Sequence, residues 1–120
     1  MLKSHPWWLF WLGKGRWITI YPHVYHPKGI EPTLYPAIVA HEDAHLWQQK
    51  NYGRNKWILK YLFNRRFRLA AEAEGIATEL SITKEPPDAY AKLLCSSAYL
   101  WAARSIEEAK SAIALFAKLL

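Results

Sequence analysis

The chain is predicted to be an α+β domain, mostly helical, and three observations carry that prediction. An aromatic and branched N-terminal stretch interrupted by Gly13-Lys14-Gly15 reads as an antiparallel β-hairpin, with arms at 7–12 and 16–21. Two segments, 38–50 and 55–83, contain no proline and repeat apolar residues at helical spacing. Pro86-Pro87 and then Ser105-Ile106-Glu107-Glu108 divide the C-terminal third into two further helices. At 120 residues the chain is read as a single domain, 1–120, able to bury about two-thirds of its unfolded surface.

Each element has a local reason. In the sheet region, Arg16 to Tyr21 or Tyr21 to Tyr25 is the candidate edge strand ahead of the first helix. Thr33 is the candidate cap of that helix, Pro36 suits its first turn, and Gly53 supplies a stop. At about 100° per residue, Ile38, His41, Glu42, His45, Gln49 and Tyr52 share one face, while Asp43, Trp47 and Lys50 point away. The second helix is expected to run unbroken from an Asn55 cap to about Thr83. Its stripe is Ile58, Leu62, Leu69, Glu72, Ile76 and Leu80. Asp88 is expected to cap a third helix reaching about Arg104, and Ser105 opens a fourth through a capping box.

The first helix carries His41-Glu42-Asp43-Ala44-His45, an HExxH motif. Two histidines one turn apart aim both imidazoles at one point, and Glu42 lies beside it. Zinc accepts imidazole nitrogen at about 2.0–2.1 Å, and catalytic sites keep three protein ligands and one open position. Glu42 is the candidate general base for water activated there. The third ligand is sought in Ala71-Glu72-Ala73-Glu74-Gly75. Glu72 falls within the apolar stripe, where an unpaired charge is costly, and is preferred over Glu74 on the other side. The bland alternative pairs Glu72 with Arg65 or Arg68 at helical spacing. Histidine ligands bind as neutral rings, so metal affinity is expected to fall below their free pKa of about 6.5.

The stretch from Ala40 to Gln49, followed by Glu72-Ala73-Glu74-Gly75 on the next helix, resembles the small gluzincin-type zinc metallopeptidase domains of bacteria, archaea and phages. The resemblance covers roughly residues 15 to 80. It implies zinc held by His41, His45 and Glu72, Glu42 as catalytic base, and a peptide or protein substrate lying along an edge strand. Where the family has an alanine, this chain has Gly75. Ile76 stands where an aspartate would support the ligands from behind, which leaves Glu79 as the nearest replacement. A second class of function also fits: a binding or structural protein, such as a virion component, that keeps the fold with weak or no turnover.

The remaining features are weaker. His5, His23, His26, Tyr52 and Tyr61 are candidates to stabilise an oxyanion. Cys95 is a lone cysteine, so no internal disulfide framework exists, and its setting among Leu93 and Leu94 suits a small buried residue. The net charge of +6 concentrates in Asn64-Arg65-Arg66-Phe67-Arg68, but no nucleic-acid-binding signature accompanies it, and no nucleic-acid partner is expected. Pro6 to Leu12 is too short to span a membrane and lacks a cleavage site, so neither anchor nor signal peptide is expected. The expected location is the cytoplasm or a virion.

Overall fold

A computed structural model describes residues 2–4 and 16–120. Among the described residues the architecture is α+β, five α-helices against one small sheet. Strands β1 (Leu2–Ser4), β2 (Ile18–Ile20) and β3 (His23–His26) form a three-stranded sheet in the order β1-β3-β2. β2 and β3 are antiparallel, joined through Tyr21-Pro22, and pair Thr19 with Val24. β1 runs parallel to β3. The first arm of the expected hairpin, 7–12, lies outside the described residues; within its second arm, Ile18–Ile20 pairs with residues 23–25. The sheet is mixed, not purely antiparallel.

Helix α1 (Pro36–Tyr52) begins with Pro36, whose fixed φ suits a first turn. No side chain caps it: Thr33 sits instead in the 3₁₀ turn Pro32–Leu34, capped by Glu31. Gly53, at φ 101°, ends α1, a conformation that glycine adopts without strain. The sheet is fixed to α1 by Gln49, which is wholly buried. Its amide Nε2 donates to the Thr19 carbonyl at 2.9 Å, and its Oε1 accepts from the Tyr21 N–H at 2.7 Å.

The single long helix expected from 55 to 83 is two helices, α2 (Arg54–Phe63) and α3 (Arg65–Thr83). Asn64 divides them. Its backbone is extended, and its side-chain oxygen accepts from the Phe67 N–H at 3.0 Å, capping α3. Asparagine competes with the helix by bonding its own neighbours, and here that competition wins. Tyr61 and Glu72 would lie about 16 Å apart along a continuous helix; the break folds α2 back until they touch at 2.5 Å.

α4 is also shorter than expected, Asp88–Leu94, with Pro87 and not Asp88 at its cap. The chain then passes through a 3₁₀ turn, Ser97–Tyr99, and two left-handed residues, Leu100 and Trp101. This detour buries Ala102 and Ala103. α5 (Ile106–Ala117) starts as expected, the Ser105 hydroxyl accepting from the Glu108 N–H at 3.1 Å. Leu69, Ala73, Ile76 and Ala77 of α3 form the apolar core with Ala91, Leu94, Ala109 and Ile113. So many alanines let three helices approach closely. Among the described residues, no helix is long and apolar enough to cross a membrane.

Candidate metal centre

α3 is buried on two sides. One side makes the apolar core; the other, carrying Glu72, Gly75 and Glu79 at i, i+3, i+7, faces α1. Gly75 permits the approach. A Cβ there would lie 2.6 Å from Cδ2 and 2.7 Å from Nε2 of His41, closer than side-chain carbons come. The alanine that the resemblance would place here would force the His41 ring to shift.

His41, Glu42 and His45 form a buried group whose ligand atoms lie within 4.8 Å of one another and could hold a metal ion. Glu72 completes the convergence. Its Oε1 stands 3.0 Å from Nε2 of His41 and 3.0 Å from Nε2 of His45. Glu42 is set back, its Oε2 3.8 Å from His41 Nε2. The Thr19 hydroxyl, from β2, donates to Glu42 Oε1 at 3.3 Å. None of these four acidic and imidazole residues is more than 7% exposed.

A further set of contacts orients the cluster. Nδ1 of His41 donates to Glu79 Oε1 at 2.9 Å, and Tyr90 donates to the other Glu79 oxygen. Nδ1 of His45 donates to Gln48 Oε1 at 3.0 Å, and Trp57 Nε1 donates to the same oxygen at 3.1 Å. Tyr61 donates to Glu72 Oε2 at 2.5 Å. Thus Glu79 supplies the supporting carboxylate for which Ile76 has no group. Such partners fix ring tautomer and orientation in metal sites.

The electrostatics follow from this cage. Burial alone pushes the His41 imidazole down, but hydrogen bonds to Glu72 and Glu79 outweigh it and hold the group up at about 10. His45 is raised too: burial opposes its charge, and Glu72 more than compensates. For Glu72, burial favours the neutral acid, but His45 and His41 hold the carboxyl well below the usual range. Glu42 moves up because burial prevails over the attraction of the histidines. The two nitrogens of each ring face acceptors, so without metal the surroundings favour the protonated form of both imidazoles.

Other candidates lie elsewhere. Glu74 accepts from Gln48 Nε2 at 2.6 Å and does not reach the histidines. Neither arginine pairs with Glu72: Arg65 binds Glu108 at 2.7 Å, and Arg68 is buried against the carbonyls of Tyr61, Leu62 and Leu100. Two of the three arginines in the basic run are thereby structural. His5 lies outside the described residues. His26 donates to the Pro27 carbonyl, His23 packs on Tyr25, and Tyr52 packs on Phe67. Tyr61 does meet the cluster, but on Glu72. Sequence reading passed over Thr19, Gln48, Trp57 and Tyr90. Only Gln48, next to a face already marked, carried any local signal.

Comparison with protein-family models, with curated proteins and with solved structures finds no match for this chain.

Proposed function

We propose that this chain is a zinc-dependent metallopeptidase of the gluzincin kind, acting on a peptide or protein substrate. One observation carries the proposal: two imidazole Nε2 atoms converge at 3.0 Å on one oxygen of Glu72, with Glu42 alongside. Ligands of a tetrahedral ion with bonds of about 2.0–2.1 Å lie about 3.3 Å apart, so this donor set needs little rearrangement to close on zinc. His41, His45 and Glu72 would hold the ion, and Glu42 would stay free. When bound, zinc supplies Lewis acidity that polarises a carbonyl and acidifies water at its open position.

The protein groups do the proton work. Glu42 takes a proton from the attacking water as its oxygen bonds to the peptide carbonyl carbon. The same carboxyl then delivers that proton to the amide nitrogen as the C–N bond breaks. Burial raises the Glu42 carboxyl, which makes it a better base than an ordinary glutamate. Thr19 holds it in place from the sheet, at 3.3 Å.

A second reading, a binding or structural protein with little turnover, is favoured by the depth of burial, His41 and His45 each being 4% exposed. Metal analysis combined with casein hydrolysis separates the two. Wild type is expected to carry one zinc per chain and to cleave in a chelator-sensitive manner. Glu42→Gln is expected to keep zinc and fold while losing about 10²–10⁴ in rate. Stoichiometric zinc without cleavage by the wild type supports the binding protein; no zinc at all removes the proposal.

A further inference from the structure

A cavity of about 310 Å³ lies apart from the cluster, its walls including none of His41, Glu42, His45 or Glu72. Five aromatic rings border it: Trp47 and Tyr52 of α1, Trp57 of α2, Phe67 of α3 and Phe116 of α5. Glu74 of α3 is its one carboxylate. The Phe67 ring centre lies 5.2 Å from that of Tyr52 and 6.2 Å from that of Trp57, so three rings form a connected wall. Trp47 stands at the rim, 63% exposed. A second cavity of about 200 Å³ is bordered by the same Trp47, Glu74 and Phe116.

The polar groups in these walls restrict what can bind. Gln48 is fully engaged: its Oε1 accepts from His45 and Trp57, and its Nε2 donates to Ala71 O and Glu74 Oε1. The Asn51 amide nitrogen donates to the Trp47 carbonyl at 2.8 Å. The wall is chiefly aromatic, Glu74 is the charged group among its described lining residues, and Glu74 forms no ion pair among the described residues. A sugar would find too few hydrogen-bonding groups, and an anion would meet Glu74. An uncharged hydrocarbon would desolvate the carboxylate without pairing it. A cation with an apolar surface satisfies every wall, because ring faces attract ammonium groups within about 6 Å of their centres. Lys60 Nζ already stands 6.0 Å over the Phe67 ring, and Lys60 is not part of the cavity wall.

We propose that this aromatic cavity is a binding site for an alkylated ammonium cation, with Glu74 opposing its charge. The proposal does not rest on the peptidase reading, although Gln48 and Trp57 of the cavity wall also support His45.

The test is calorimetric titration of the full chain with choline, with the neutral carbon isostere of choline, and with a short peptide bearing one trimethyllysine. Choline is expected to bind, and the isostere to bind about tenfold more weakly or not at all. Glu74→Gln keeps an acceptor for Gln48 and is expected to weaken choline about tenfold without affecting the isostere. Trp47→Ala, at an exposed rim position, is expected to weaken choline while leaving the circular dichroism spectrum unchanged. A peptide preference of tenfold or more over choline assigns the site to a methylated side chain; comparable affinities assign it to a free cation. Equal binding of choline and its isostere, no binding of either cation, or binding unmoved in both variants overturns the proposal.

Discussion

Replacing Gly75 by alanine tests how tightly the two site helices are matched. The added methyl would lie 2.6 Å from His41 Cδ2, which is 0.8 Å short of the 3.4 Å at which ordinary contact begins. His41 has little room to yield. Nδ1 is held at 2.9 Å by Glu79, Nε2 at 3.0 Å by Glu72, and the ring packs 5.0 Å from that of His45. Overpacking of this kind costs about 1–3 kcal/mol. Alanine in a helix interior returns about 0.8–1.0 kcal/mol relative to glycine. The net loss of stability is therefore small, about 0–2 kcal/mol, and the variant is expected to fold. Its zinc affinity is expected to fall far more, by about 10–100-fold, because the imidazole leaves its supported position. Urea denaturation measures the first quantity and competition with a chromogenic chelator the second. Wild-type zinc affinity in Gly75→Ala would refute the assigned position of His41.

Two other outcomes follow from the same cage. Glu79→Gln keeps the contact with His41 Nδ1 but removes its charge, and is expected to lower zinc affinity about 10–100-fold without abolishing folding; unchanged affinity would show that Glu79 is only a packing group. For the metal-free protein, the raised His41 and His45 stabilise most below about 6.5 and lose that contribution as pH rises, His41 as pH approaches about 10. Glu42, also raised, loses its contribution as pH rises above about 4.5, whereas the depressed Glu72 contributes above about 4.5 and loses its contribution as pH falls. Denaturation across pH is thus expected to give a metal-free optimum between about 4.5 and 6.5, shifted upward by zinc. An optimum that zinc leaves in place would contradict the ligand role of the histidines.

What was legible in the sequence was local. The HExxH spacing put His41, Glu42, His45 and Gln49 on one face of one helix, and all four are buried. The apolar company of Glu72 distinguished it from Glu74, which the structure places on Gln48. Ser105 and Gly53 marked helix ends through bonds to near neighbours. The failures came where a neighbour in space decided the outcome. Asn64 can sit within a helix or cap one, and only the return of α2 onto α3 selects the cap. The left-handed turn at Leu100 and Trp101 has no glycine to announce it; Arg68, 32 residues earlier, donates to its carbonyl. Tyr90 reaches Glu79 from α4, a contact that no spacing rule encodes. The same holds for the His41 imidazole, which spacing treats as a free histidine near 6.5, whereas Glu72 and Glu79, from another helix, raise it to about 10.

That last shift bears on what the cluster is for. Glu42, Glu72 and Glu79 place three carboxylates around two imidazoles in the interior. Buried ion pairs contribute little stability compared with apolar residues of the same volume, so a cluster retained only for packing would be a poor solution. With both imidazoles protonated, the formal charge of the five groups is minus one. With neutral imidazoles and a divalent cation, it is again minus one. With all three carboxylates ionised, two protons and one divalent ion thus give the cage the same formal charge, and metal entry has to expel the protons that the carboxylates hold on the rings. At neutral pH, zinc binding should release clearly more than the roughly half a proton that two free histidines would give up together. Calorimetry in buffers of different ionisation enthalpy counts them, and a release near zero would mean that the carboxylates do not hold the histidines as the distances require.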